Sequence, residues 1–83
     1  MTKKKRFPAC GSVEAHLSTD RGVIQQIAFT GDFFSVVEPE VLAEKLVGVR
    51  LEEQALRAAL SGEDAGRYFS GLGTEELIDL LLS

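Results

Sequence analysis

Tryptophan is absent from these 83 residues, and cysteine, histidine, methionine and tyrosine occur once each. A lone Cys10 excludes an internal disulfide, and with His16 the only histidine there is no Cys/His cluster of zinc-binding spacing. No apolar run approaches the ~20 residues that a membrane-spanning helix needs. The N-terminus also lacks the apolar stretch of a secretory signal. A reducing compartment follows, so the cytoplasm is the expected location, without a membrane partner. Nucleotide chemistry is missing too. Gly71-Leu72-Gly73 is not set between a strand and a helix as a phosphate loop would be, and no Walker-type lysine is present.

Hydrophobic residues make up 45% of the chain and charged ones 27%, which is the balance of a globular domain and not of a disordered segment. The length allows one domain with a thin core. Thirteen acidic side chains outweigh nine basic ones, and four of the nine sit together as Lys3, Lys4, Lys5 and Arg6. Residues 1–6 therefore read as a solvated tail or linker, and the domain proper as residues 7–83. The acidic body repels phosphates, and its phenylalanines are not interleaved with Lys or Arg, so no nucleic-acid partner is expected.

From Val13 the pattern alternates, with Val13, Ala15 and Leu17 on one side and Glu14, His16 and Ser18 on the other, as in a half-buried strand. Thr19-Asp20-Arg21-Gly22 carries turn chemistry, and a second strand over Val23 to Thr30 completes a hairpin. Ile24 is out of step with Ile27 and Phe29, and a bulge at Gln25-Gln26 restores one apolar face. The period then changes. Pro39 between Glu38 and Glu40 suits a first helical turn, Leu42 and Leu46 share a face, and Gly48 ends the helix. Leu51, Ala55, Leu56, Ala59 and Leu60 form the stripe of a second helix, with Glu53 and Arg57 paired on its wet side. Tyr68-Phe69 falls in a Gly-rich connection. Thr74 is the expected cap of a last, nearly all-apolar helix with Glu75 and Glu76 in its first turn. Strands followed by helices give an α+β fold: a small antiparallel sheet of two or three strands, begun by the hairpin and packed by the C-terminal helices.

Catalytic candidates are few. His16 lacks a Ser or Cys partner and lies on the polar side of a strand. Cys10 has only the basic run nearby to activate it. Glu38 and Glu40 fit a helix start better than an acid–base pair, and Glu63-Asp64 reads as a solvated turn. The most informative run is Gly31-Asp32-Phe33-Phe34. Neighbouring side chains of a strand point oppositely, so both rings cannot enter the core. Gly31 and Asp32 are expected to shape a turn, and one ring, Phe33 or Phe34, to anchor inside while the other meets a partner.

Arg6-Phe7-Pro8-Ala9, the hairpin with Gly22, Ile24, Ile27 and Phe29, and then Gly31-Asp32-Phe33-Phe34 resemble the first half of the C-terminal accessory domain of lipoate–protein ligases. Leu42, Leu46-Val47-Gly48, Leu56, Leu60, Tyr68-Phe69, Gly71 and the closing Glu-Glu-Leu helix resemble its second half. Ser35 stands where the family often has glycine, Val41 and Ala43 where it tends to have acidic residues, and Cys10 is one residue extra before Gly11. The resemblance implies a fold similar to the iron–sulfur scaffold and sulfur-acceptor proteins, and a domain that is not an enzyme alone. It implies support, by docking on a larger catalytic domain, for the ATP-dependent activation of lipoate to lipoyl-AMP and its transfer to lysines of acceptor proteins. Lipoate, ATP and Mg are implied for the full enzyme and no cofactor for this domain; the partners are the catalytic domain and, indirectly, the lipoyl acceptors. The basic run then resembles an interdomain linker. Two alternatives stay open: a scaffold or carrier in sulfur or iron–sulfur assembly, with Cys10 the only available thiol, and a generic protein-interaction module.

Overall fold

A computed structural model describes residues 1–83. The alternating segments become two ten-residue antiparallel strands, β2 (Gly11–Asp20) and β3 (Val23–Asp32). Their link is a two-residue turn with Arg21 at φ 55° and Gly22 at φ 79°, the pair of positive values that matches the twist of a hairpin. Ser18 faces Gln26 and Thr19 faces Ile24, which leaves Gln25 as the extra residue of a bulge. That one insertion brings Ile24, Ile27 and Phe29 to the side already held by Leu17 and Ala15, as the broken alternation required.

The basic run is not a tail. Thr2–Phe7 form a third strand, β1, antiparallel to β2 with Lys3 opposite Ala15, Lys5 opposite Val13 and Phe7 opposite Gly11. The sheet order is β1-β2-β3. The reading of residues 1–6 as a linker failed because the inward positions are written in lysine, which hides the period of two. Lysine stems cover apolar surface while their ammonium groups stay wet, and the Lys5 ammonium lies 5.9 Å from the ring centroid of Phe7. Lys4, on the other face, meets Glu14 at 3.5 Å. Lysines on an edge strand also discourage pairing with foreign strands.

Helices α1 (Pro39–Leu46), α2 (Glu53–Leu60), α3 (Ala65–Tyr68) and α4 (Thr74–Leu82) follow, and with the sheet they make the expected α+β architecture. The buried residues form one cluster, which includes Val13, Ala15 and Ile24 from the sheet, Leu42 and Leu46 from α1, and Leu56 from α2. α1 lies against β3, and α4 packs against both β1 and α2. No polar or charged residue is buried, so the core carries no desolvated charge. Gly48, at φ 87°, turns the chain out of α1. The strap after it pairs with the outer edge of β3: Ile24 N–H donates to the Val49 carbonyl (2.9 Å) and Gly48 N–H to the Ile24 carbonyl (2.8 Å). α4 starts one residue earlier than its side chains suggest. Thr74 is its first residue, not its cap; the cap is Gly73, whose N–H donates to the Glu76 carboxylate at 3.1 Å. Leu77, Ile78, Leu80 and Leu81 are buried.

The other face of the sheet is polar. His16 Nε2 lies 2.8 Å from Thr30 Oγ1, the Thr30 hydroxyl donates to Glu14 at 3.2 Å, and Thr2 Oγ1 is 3.4 Å from His16 Nδ1. With the Thr30 hydroxyl donating to Glu14, the Thr30 oxygen is left to accept from His16 Nε2–H, a proton position assigned from this network. The bond from Thr30, then the Lys4 ammonium, hold the Glu14 carboxyl below its ordinary range.

Candidate functional site

The end of β3 is built around two close backbone approaches. Gly31, at φ 143°, faces Val13, and a Cβ there would run into the Ser12 carbonyl; Gly11, at φ 106°, is pressed in the same way on Asp32. Only glycine satisfies both the angle and the space. Gly31 and Asp32 therefore continue the strand instead of shaping the turn expected of them, because their pairing with Val13 and Ser12 holds them extended to the end.

Beyond Asp32 the two phenylalanines divide. Phe33 packs on the core, with its ring 4.8 Å from that of Phe69 at 63°; Phe69 is fully buried and also meets Phe29 at 5.0 Å and 70°. These edge-to-face contacts lock the inner ring. Phe34 turns out and is 85% exposed, and Val36, two residues on, is 77% exposed. The intervening chain is held by α3 and the residues after it. Val36 N–H and Val37 N–H both donate to the Arg67 carbonyl, at 2.7 and 3.0 Å, and Ser70 N–H donates to the Phe34 carbonyl at 2.9 Å. The result is a fixed apolar ridge of Phe34 and Val36 standing on an aromatic base. Of the four residues singled out from the sequence, Gly31 and Asp32 lie in the strand that leads to the ridge, Phe33 lies beneath it and Phe34 forms it. Sequence reasoning missed Val36, Arg67 and Ser70. Val36 had no period to reveal it, since the chain bends at Val36 and Val37; the other two act through backbone atoms and left no signal.

The remaining candidates carry less. Burial, then the nearby Glu76 carboxylate, push the Cys10 thiol up, which is the opposite of what a nucleophilic thiolate needs. No group of three or more His, Cys, Asp or Glu side chains converges to hold a metal ion. Gly71-Leu72-Gly73 does not suit a phosphate: a Cβ on Gly71 would strike the Ala9 carbonyl, and Gly73 N–H is already given to Glu76. An anion there meets a carbonyl and a carboxylate where it needs free amides. A groove of about 280 Å³ between β3 and α1, with Gln25, Gln26, Ile27, Glu40 and Glu44 among its lining, is shallow.

The fold and its ridge can be set beside known proteins. The family described as the bacterial lipoate protein ligase C-terminus matches residues 1–81. The chain is 31% identical over 81 residues to the lipoate-protein ligase LplJ of Bacillus subtilis, covering 98% of this chain and 24% of that protein. It is 34% identical over 73 residues to a lipoate–protein ligase of Streptococcus pyogenes, covering 88% of this chain and 22% of the relative. A probable lipoate-protein ligase A of Mycoplasma pneumoniae is 30% identical over 79 residues, with 94% of this chain and 23% of the relative covered. The chain thus spans about a quarter of the length of these relatives. Because the matched region is nearly the whole chain, strand β1 included, the protein belongs to the family of bacterial lipoate–protein ligase C-terminal domains.

Proposed function

We propose that this domain is the non-catalytic accessory part of a lipoate–protein ligase and that it docks on the catalytic domain through the Phe34–Val36 ridge. It then supports the ATP-dependent activation of lipoate to lipoyl-AMP and the lipoylation of acceptor-protein lysines. Lipoate, ATP and Mg are held by the catalytic domain; the lipoyl acceptors are indirect partners, and the cytoplasm is the site of action. The observation that carries the reading is the exposure of Phe34, 85%, on a segment held by three backbone hydrogen bonds. A large apolar side chain fixed in water is an unfilled contact, and a rigid one loses little freedom when a partner covers it. An acyl-adenylate is destroyed by water, so a domain that closes over its site extends its life. The raised pKa of Cys10 disfavours the sulfur-carrier alternative.

The test is reconstitution. The chain is mixed with the catalytic domain of a family member, and association and lipoyl-AMP formation are measured. Binding accompanied by faster adenylate formation is expected, and Phe34→Ala is expected to weaken the binding at least tenfold, the scale of an aromatic anchor. Absence of both association and a rate gain refutes the proposal, and Cys10→Ser is expected to change neither quantity.

A further inference from the structure

The ridge stands on a helix of only four residues, α3. A single turn has almost no stability of its own, because nucleation costs more than one turn of hydrogen bonds returns. Something outside α3 must therefore place the Arg67 carbonyl and the Ser70 amide that carry the ridge. Burial of Ala65, Tyr68 and Phe69 fixes the inner side of the turn. Burial alone is non-directional, however, and does not set the turn's rotation or its height along the sheet.

Beside the Phe69 ring contacts and the Asp64 carboxylate that accepts from Gly66 N–H at 3.1 Å, the side-chain hydrogen bonds that tie α3 to another helix converge on one carboxylate. Glu63, in the link between α2 and α3, accepts from the Tyr68 hydroxyl at 2.7 Å and from the Lys45 ammonium at 2.9 Å on both oxygens. Lys45 belongs to the last turn of α1 and Tyr68 to the end of α3, so Glu63 joins the two helices that flank the ridge segment. The Tyr68 ring is almost fully buried, and its hydroxyl reaches out to this carboxylate. Arg67, which accepts from Val36 and Val37, is the residue before Tyr68.

We propose that Glu63, with Lys45 and Tyr68, is a positioning residue for the Phe34–Val36 ridge: it fixes the orientation of α3 and through it the Arg67 carbonyl on which the ridge is hung. The three side chains touch no partner in this assignment. They act by removing the freedom of a segment that would otherwise have to order itself on contact. The consequence for docking rests on the function proposed above, but the ordering of the ridge does not. Charge supports the geometry: the bonds from Lys45 and then Tyr68 hold the Glu63 carboxyl below its ordinary value, so it is ionised and accepts from both partners at neutral pH.

Amide hydrogen exchange of the 83-residue chain tests the inference directly, with Glu63→Gln and Tyr68→Phe as independent variants. Both are expected to speed exchange at Val36, Val37 and Ser70 about three- to tenfold, the scale of the net loss of one ordinary hydrogen bond. Exchange at Ile24 and Leu42, in the core, is expected to stay unchanged. Lys45→Arg retains the charge and is expected to keep most of the protection. Unchanged rates at Val36 and Val37 in both variants overturn the proposal, and so does a uniform rise over all amides, which would make Glu63 a contributor to global stability only. Association with the catalytic domain is the separate readout: a failure of Phe34→Ala to weaken it removes the docking reading and leaves the exchange result standing.

Discussion

Two adjacent phenylalanines should respond in opposite ways to the same truncation. Phe34 is 85% exposed, so Phe34→Ala withdraws only about 15% of a side chain from the protein interior. Taking about 2–3 kcal/mol for complete burial of a phenyl ring, the expected loss is about 0.4 kcal/mol, within the range of ordinary surface substitutions. Phe33 is packed on the core and meets Phe69 edge to face at 4.8 Å. Its removal forfeits about 1.5–2 kcal/mol of burial and about 0.5–1.5 kcal/mol of aromatic contact, or roughly 2–3 kcal/mol together. For a domain of this size each kcal/mol moves the melting temperature by about 4–8 °C. Phe33→Ala is therefore expected to melt at least about 8 °C lower, and Phe34→Ala within about 3 °C of the parent. Urea unfolding followed by circular dichroism, with the m-value checked for constancy, gives the free energies directly. Equal losses in the two variants would refute the division of the rings and remove the basis for an exposed ridge.

Glycine substitutions separate space from angle. Gly48→Ala meets nothing within 4 Å and is expected to cost only the left-handed backbone term, about 1 kcal/mol, whereas Gly31→Ala must also displace the Ser12 carbonyl and is expected to cost at least twice that in the same urea assay. Deleting residues 1–6 removes most of β1 and uncovers the edge of β2; a stability loss of about 2 kcal/mol or more and a tendency to self-associate are expected by unfolding and size-exclusion chromatography, where a mere tail would give neither. Acid should loosen the helical side. The Glu63 carboxyl is held below its ordinary 4.5, so its contribution is complete above that value and is lost as the pH falls through the lower folded-state pKa. Glu63→Gln is expected to flatten the acid limb of a melting temperature–pH profile, leaving the neutral region the less stable of the two proteins; superimposable acid limbs would contradict the pairing with Lys45 and Tyr68.

Much of this architecture was legible in the sequence because its signals are local. The alternation of Val13–Leu17, the phase slip at Ile24 and the Gly22 turn locate the hairpin and its bulge, and the leucine spacings locate α1, α2 and α4. β1 escaped notice because lysine occupies its inward positions and charge masks the period. α3 escaped because one turn containing Gly66 has no period to detect. That two adjacent rings could not both enter the core was legible, but which of them turns out was not, since Phe33 and Phe34 lie beyond the end of β3. What fastens the ridge was invisible: Val36 and Arg67 are joined through main-chain atoms, which every residue type supplies alike. Glu63 looked like a solvated turn residue because its partners, Lys45 and Tyr68, lie in other elements.

The pairing of the first strand with the last helix has a consequence for synthesis of the chain. β1, β2 and β3 are neighbours in sequence and in the sheet, so the meander can close as soon as Asp32 has emerged from the ribosome, with short loops and little entropy to overcome. Its inner face, however, is shared with α4, the element of this domain farthest along the chain, which packs against β1 and contributes four buried aliphatic side chains. α1 can cover β3 early, but until Leu81 is released the part of the sheet at β1 stays uncovered, and the lysines of that edge are then what keeps it apart from other chains on the same message.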